Sequence, residues 1–182
     1  KVSTSNISDA MHRTGSAKGL LRFSGEGRMV GRAVTVRTYP GDWSKPVQAI
    51  DAAEPGDVIV IDAGGQELAV WGELATESCI QKKIAGVVID GAIRDIEDIR
   101  EMGFNAWARF VNPTALEAKG FGEIGVPIKA GGIDVSPGDI IVGDDTGLVR
   151  IPRMRLAEVT NRAMDVLEKE NRIREEIREG ST

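Results

Sequence analysis

Ala85-Gly86-Val87-Val88-Ile89-Asp90 is an unbroken apolar run that closes on a carboxylate, and its reading decides the fold. A strand that is apolar on both faces belongs inside a parallel sheet covered from both sides. Ahead of it, Gly72 to Lys83 carries Leu74, Ala75, Ser78 and Cys79 at helical spacing. Behind it, Ile96 to Met102 reads as a second helix, stopped by Gly103. Helix, buried strand and helix in succession indicate βαβ units. Further upstream, Met29 to Tyr39 reads as a strand with Val30, Val34 and Val36 among small and basic residues. Asp57 to Asp62 reads as another, entered through the turn Glu54-Pro55-Gly56.

The last third changes character. Pro137-Gly138-Asp139-Ile140-Ile141-Val142-Gly143-Asp144 repeats the turn-plus-strand pattern of Pro55 to Asp62, which lies 82 residues earlier. Asp144-Asp145-Thr146-Gly147 then predicts a hairpin turn into Leu148-Val149-Arg150-Ile151. The expected class is α/β, a mixed sheet with central βαβ units, antiparallel hairpins around them and a long C-terminal helix. That helix spans about 155–179, with Leu156, Val159, Ala163, Val166, Ile173 and Ile177 on one stripe and Glu170 interrupting it. A helix this long on a small domain is expected to pack partly at a subunit interface. No Pro-, Ser- or Gly-rich linker divides the 182 residues, so a single domain over 1–182 is expected.

Composition bounds the chemistry. Hydrophobic residues make up 41% and charged residues 28%, which excludes a disordered tail. Twenty-three basic against 28 acidic residues leave a net charge of −5, which disfavours nucleic acid as a partner. The one cysteine, Cys79, excludes an internal disulfide and a Cys-rich zinc site. The one histidine, His12, excludes a His-rich metal site and leaves a Ser-His-Asp triad a single possible base. A metal bound here must rest mainly on carboxylates, which points to Mg2+ or Mn2+. No run reaches the ~18 apolar residues of a membrane span. Lys1-Val2-Ser3-Thr4 has no signal-peptide pattern, so no membrane partner and a cytoplasmic location are expected.

Three stretches could carry chemistry. Asp62-Ala63-Gly64-Gly65 offers either a nucleotide or S-adenosylmethionine loop, or a plain strand-exit turn; it lacks the third glycine and a helix directly behind it. Asp90-Gly91-Ala92-Ile93-Arg94-Asp95 sits where the buried strand yields to a helix, the usual ligand position of an α/β sheet. Arg94 and Asp95 there could hold a small dianion and a divalent metal together, or Asp95 could simply cap its helix. Trp71-Gly72-Glu73-Leu74-Ala75 opens the preceding helix, whose free amides form an anion site that Gly72 lets a ligand approach. An anion could bridge the two helix N-termini. His12, in a helical turn opened by Ser8 or Asp9, reads as a residue on a solvated face, and Cys79 as a small core residue.

Taken in order, Ser8-Asp9-Ala10-Met11, Trp71-Gly72-Glu73-Leu74, Gly86 to Asp95, and Pro137-Gly138-Asp139 with Gly143 to Val149 resemble the RraA-like / 4-hydroxy-4-methyl-2-oxoglutarate aldolase family. The resemblance covers nearly the whole chain. It implies a swivelling β/β/α fold assembled as a homotrimer or a dimer of trimers. It also implies one of two activities: a metal-dependent pyruvate aldolase that can decarboxylate oxaloacetate, or a regulator that inhibits a ribonuclease complex by protein contact. The lyases of the family carry an acidic residue, twenty intervening residues and then Arg-Asp. Here Glu73 stands 21 positions before Arg94, a departure from the Asp of those lyases. The regulator lacks the Asp of Arg-Asp, so Asp95 favours the lyase.

The resemblance further implies that Asp95 ligates Mg2+ or Mn2+ and that the backbone amides of Gly72, Glu73, Leu74 and Ala75 bind the carboxylate of a small 2-oxo acid. Arg94 would bind the keto oxygen and stabilise the enolate. The family's base is a metal-bound water assisted by a Glu from the adjacent subunit's C-terminal region. Glu170 is the expected residue, unless the helix has already left the core at that point.

Overall fold

The computed structural model describes residues 1–180. The chain opens with helix α1 (Thr4–Ala10), strands β1 (Leu21–Ser24) and β2 (Met29–Arg37), and helix α2 (Ser44–Ala52). Strand β3 (Val58–Asp62), helix α3 (Glu73–Gln81), strand β4 (Gly86–Ile93), helix α4 (Ile96–Glu101) and strand β5 (Ala106–Val111) form the middle. The short strands β6 (Glu123–Ile124), β7 (Ile128–Ala130) and β8 (Ile133–Val135) follow. The hairpin β9 (Ile140–Asp144) and β10 (Gly147–Ile151) leads through a 3-10 turn into α5 (Leu156–Arg178).

The main sheet is mixed, ordered β1-β5-β4-β3-β2-β9-β10, with β6 beside β2. β2, β3, β4 and β5 run parallel, and β1 and the β9–β10 hairpin add antiparallel edges. β7 and β8 make a separate two-stranded sheet. Period-2 alternation sorts the parallel strands onto two cores. Ile59, Ile61, Val87 and Ile89 face α2, α3 and α4 through Ala49, Ile50, Cys79 and Ile99. Val58, Val60, Val88 and Trp107 face the small sheet through Ile128, Ala130 and Val135. Both faces of β4 are therefore covered, and every one of its residues is buried. A third core joins Val142, Val149 and Ile151 to Ile7 and Ala10 of α1 and to Val159 and Ala163 of α5.

The two Pro-Gly-Asp turns share one geometry. Asp57 accepts from the Glu54 amide at 2.9 Å and Asp139 from the Ser136 amide at 2.8 Å, each three residues back. The strands they launch, β3 and β9, flank β2 on opposite sides.

Several boundaries differ from the sequence reading. β4 continues three residues past Asp90, because Ala92 finds a new neighbour in Ala69. β2 stops at Arg37, where Thr38 turns to bond Asp42. The first helix starts at a Ser3–Asn6 capping box, so Ser8 and Asp9 lie near its end rather than its beginning. Helix α2 and strand β5 had no clear signal. α2 carries Pro46 inside its first turn, and β5 mixes Arg109 into a short aromatic run.

Candidate active site

The site is built where two segments dock side by side at the carboxyl ends of the parallel strands, the general ligand position of such sheets. After β3 the chain makes a tight exit. Gly64 N–H donates to the Asp62 carboxylate at 3.0 Å, and the amides of Ala63 and Gly65 donate to the Asp90 carbonyl. Those glycine amides are spent on the protein itself, and the next helix opens only at Glu73, so the Asp62-Ala63-Gly64-Gly65 stretch is a strand-exit turn. The chain then runs back along the end of β4. Val70 N–H donates to the Ala92 carbonyl at 3.1 Å, and Arg94 N–H donates to the Trp71 carbonyl at 3.0 Å. The start of α3 is thereby clamped beside the exit of β4.

Within that clamp the first turn of α3 is fixed from inside. Trp71 is buried and its indole N–H donates to Thr76 Oγ1 at 2.9 Å; the Thr76 hydroxyl donates in turn to the Gly72 carbonyl at 3.0 Å. Gly72, the N-cap, supplies no side chain to cap the helix. The cap comes from 22 residues away, where Asp95 Oδ2 accepts the Glu73 N–H at 3.1 Å. A Cβ on Gly72 would run into that carboxylate, so glycine is required here for close approach and not for its backbone angles.

Asp95 stands at the N-cap position of α4 but makes no side-chain bond to that helix. Its backbone is left-handed, φ 56° and ψ 40°, a conformation Asp tolerates better than most residues. That turn aims the carboxylate across at α3 instead of down its own helix. Arg94 Nε lies 3.6 Å from the same oxygen, and both side chains are partly exposed.

Gly72, Glu73, Leu74, Ala75, Arg94 and Asp95 line one cleft of about 580 Å³. Gly91, by contrast, is buried in β4, where a Cβ would sit 2.8 Å from Ala63 Cβ. It serves strand packing and not ligand approach. The other walls are Trp43 and Val47 around the start of α2, Ala69, Val70 and Trp71, Ser78, and Ala115 beyond β5. The sequence reading missed Trp43, Val47, Ser78 and Ala115 as site residues. Ser78 lies on the helix read from the sequence but reads there as part of its periodic stripe. Trp43, Val47 and Ala115 come from segments with weak or absent periodicity, and only the tertiary fold brings α2 and the post-β5 loop to this place.

Electrostatics single out Glu73. The charges of Asp98, burial, and the charges of Glu77 and Asp95 together push its carboxyl above the usual range. The two helices thus concentrate acids around a first turn whose Leu74 and Ala75 amides have no intrahelical partner. No group of three His, Cys, Asp or Glu suited to a metal exists among the described residues. The carboxylate of Asp95 is a one-residue anchor, which suits a hard cation that keeps most of its waters.

His12 and Cys79 lie elsewhere. His12 follows α1, is exposed, and has its Nε2 at 3.2 Å from the Arg162 guanidinium. Cys79 is fully buried in the helix-side core, where burial pushes its thiol up to about 12. Glu170 is half-buried on α5, a helix that packs on α1 and against the core of β9 and β10, which stand three and four strand positions from β4 in the sheet order. From residue 171 to residue 180 every residue of the chain is exposed.

The RraA-like family, described as Aldolase/RraA, matches residues 4–150. An uncharacterized protein of Methanocaldococcus jannaschii is 40% identical over 152 residues, 82% of this chain and 73% of that protein. A 4-hydroxy-4-methyl-2-oxoglutarate aldolase of Thermus thermophilus is 33% identical over 131 residues, 71% of this chain and 79% of the aldolase. The solved structure of the RNA-processing inhibitor RraA from the same species superposes with a TM-score of 0.76 at 30% identity, over 84% of this chain and 93% of the inhibitor.

Proposed function

The chain belongs to the RraA-like family, and within it we propose a divalent-metal-dependent lyase that releases pyruvate from 4-hydroxy-2-oxo acids, with oxaloacetate decarboxylation through the same pyruvate enolate. The observation that carries this reading is the convergence of Arg94, Asp95 and the first-turn amides of α3 in one cleft. Asp95 is the residue to hold the cation, Mg2+ or Mn2+. When bound, the cation supplies Lewis-acid polarisation of the 2-oxo group.

The chain's own groups do the rest. The Glu73 amide is held by Asp95, so of the amides of Gly72, Glu73, Leu74 and Ala75 the other three are the ones to receive the substrate carboxylate at the positive end of α3. Arg94 donates to the 2-oxo oxygen and meets the negative charge that grows there as the C3–C4 bond breaks. The electrons of that bond become the enolate, and the carbonyl fragment leaves with the oxygen that had been the 4-hydroxyl. A carboxylate must take the hydroxyl proton and a proton must return to C3. Glu73, in the first turn of α3 and in the same cleft as Arg94 and Asp95, is the carboxylate we propose for one of these transfers. Glu170 of a second copy in a homotrimer or dimer of trimers is the second proton carrier we propose. Glu170→Gln should cut turnover while pyruvate binding survives, and unchanged turnover removes Glu170 from the scheme.

The test of the function is coupled pyruvate release from a 4-hydroxy-2-oxo acid and from oxaloacetate, with Mn2+ and with EDTA. Metal-dependent release that Asp95→Ala abolishes is expected; no release from either substrate overturns the lyase. The likeness to the RNA-processing inhibitor supports a second reading, a protein-contact regulator of a ribonuclease. That reading predicts binding to a ribonuclease assembly that Asp95→Ala leaves intact.

A further inference from the structure

We infer that Asp90 and Arg109 are positioning residues: their ion pair locks an extra residue in β4 and so sets the register at which Arg94 and Asp95 leave the strand. The inference rests on the lyase reading for what Arg94 and Asp95 do. Neither Asp90 nor Arg109 is among the described residues that line the cleft, so both act through the backbone.

The register of β4 changes just ahead of the site. Val87, Val88 and Ile89 pair with Ala106, Trp107 and Ala108 of β5, and pairing resumes with Ala92 and Ile93 against Phe110 and Val111. β4 therefore spends three steps between Ile89 and Ala92 where β5 spends two between Ala108 and Phe110. An extra residue of this kind, rare between parallel strands, re-aims everything beyond it. Side chains alternate with period two, so a slip of one residue would turn Arg94 to the opposite face. Ile89 and Ile93 anchor the strand in the helix-side core on either side of the extra step. Gly91 and Ala92 between them offer little side chain to hold it.

Polar contacts hold it instead. Asp90 is buried; its Oδ1 accepts the Arg109 Nε–H at 2.7 Å and its Oδ2 accepts the Gly131 amide at 2.8 Å. Its carbonyl accepts the amides of Ala63 and Gly65 at 3.1 and 3.0 Å. One residue thus ties β4 to β5, to the turn between β7 and β8, and to the exit of β3. Arg109 follows Ala108 as Asp90 follows Ile89, so the pair closes the last regular rung before the extra step. Parting the two charges would leave the buried carboxylate without its cation, which makes the lock stiff. Beyond it, three backbone bonds depend on the new register. Val70 N–H reaches the Ala92 carbonyl at 3.1 Å, Arg94 N–H the Trp71 carbonyl at 3.0 Å, and Asn112 N–H the Ile93 carbonyl at 3.1 Å.

Amide hydrogen exchange, followed residue by residue, reads the register without reference to turnover. In Asp90→Asn the Val70, Arg94 and Asn112 amides should exchange roughly tenfold faster or more. The Ala33 and Arg150 amides, bonded to the Asp139 and Gly15 carbonyls elsewhere in the fold, should keep their rates. A loss of global stability alone would speed both sets. In the coupled pyruvate assay, well below the melting temperature, kcat/KM should fall roughly ten- to a hundredfold, as expected when Arg94 and Asp95 are slightly misplaced. Arg109→Lys, which keeps a cation for Asp90, should lose less than Arg109→Met on both readouts and serves as the milder variant. Uniform acceleration, unchanged exchange or unchanged kcat/KM in the folded variants overturns the inference. A parent that releases no pyruvate sinks the lyase; selective exchange would then still establish the register lock, and uniform exchange would sink both.

Discussion

The carboxylate of Asp95, at the entrance to α4, closes the N-terminus of α3 by accepting the Glu73 amide at 3.1 Å. One side chain therefore joins two helices and is also the group proposed to hold the cation. Its position depends on a left-handed backbone at Asp95 and on the missing side chain of Gly72.

Gly72→Ala should displace that carboxylate, because the added carbon meets it directly. We expect kcat/KM to fall at least tenfold, with a loss of about 1 kcal/mol as the cap is disturbed. Asp95→Asn is the matched control. It keeps an oxygen for the Glu73 amide and tolerates the left-handed backbone, so its Tm should stay near that of the parent while Mn2+ affinity and turnover collapse. Calorimetry and the coupled assay on the two variants decide this; an active Asp95→Asn would contradict the assignment.

Arg94→Ala should lower kcat by about 10²–10³, the usual effect of losing a donor aimed at developing negative charge. Arg94→Lys should recover only part of it, since a point charge cannot reproduce a planar fork of donors. Half-exposed and paired only to Asp95 at 3.6 Å, Arg94 contributes little to the fold, so both variants should melt within a few degrees of the parent. Full activity in the lysine variant would argue for bulk charge alone.

Acid stability should rest on Asp42 and Asp144. Burial alone would push the Asp42 carboxyl up, but bonds from Ser44, Phe121 and Lys119 outweigh it and hold it below the ordinary range. Burial likewise opposes, and bonds from Thr4, Thr146 and Gly147 overcome, at Asp144. A depressed folded pKa means the stabilisation is complete above the unfolded carboxylate range and disappears as pH falls through the folded values. Asp42→Asn and Asp144→Asn should each cost roughly 1–3 kcal/mol at pH 7. Their melting temperatures should converge on the parent's near pH 2, and curves that stay parallel down to that pH would refute the linkage.

Cys79 should be silent toward thiol reagents in the folded protein, even at pH 9, because its thiol is both buried and pushed up to about 12. Labelling should track unfolding in urea. Rapid labelling of the native protein would mean that α3 opens readily from the helix-side core.

The residues with strong local signatures were legible in the linear chain. The apolar run of β4, the two Pro-Gly-Asp turns, the β9–β10 hairpin and the stripe of α5 each carry enough local information to name their element. Gly72, Glu73, Arg94 and Asp95 were singled out because chemistry-bearing residues sat at element boundaries. What could not be read was direction. Asp95 was weighed as a cap for its own helix, and it caps the other one. Gly91 belongs to the same candidate stretch as Arg94 and Asp95, and it lies inside the strand against Ala63.

By itself, the sequence determined the kinds of element, the parallel centre of the sheet and a site chemistry limited to carboxylates, one arginine and helix amides. Those properties follow from composition, period and turn residues, which act over a few positions. The tertiary structure alone decided that Trp43, Val47 and Ala115 would wall the cleft and that a carboxylate would reach across 22 residues to a foreign helix. Such contacts arise from how β2, β3, β4 and β5 are ordered in the sheet and from a single left-handed residue, and neither leaves a local pattern in the chain.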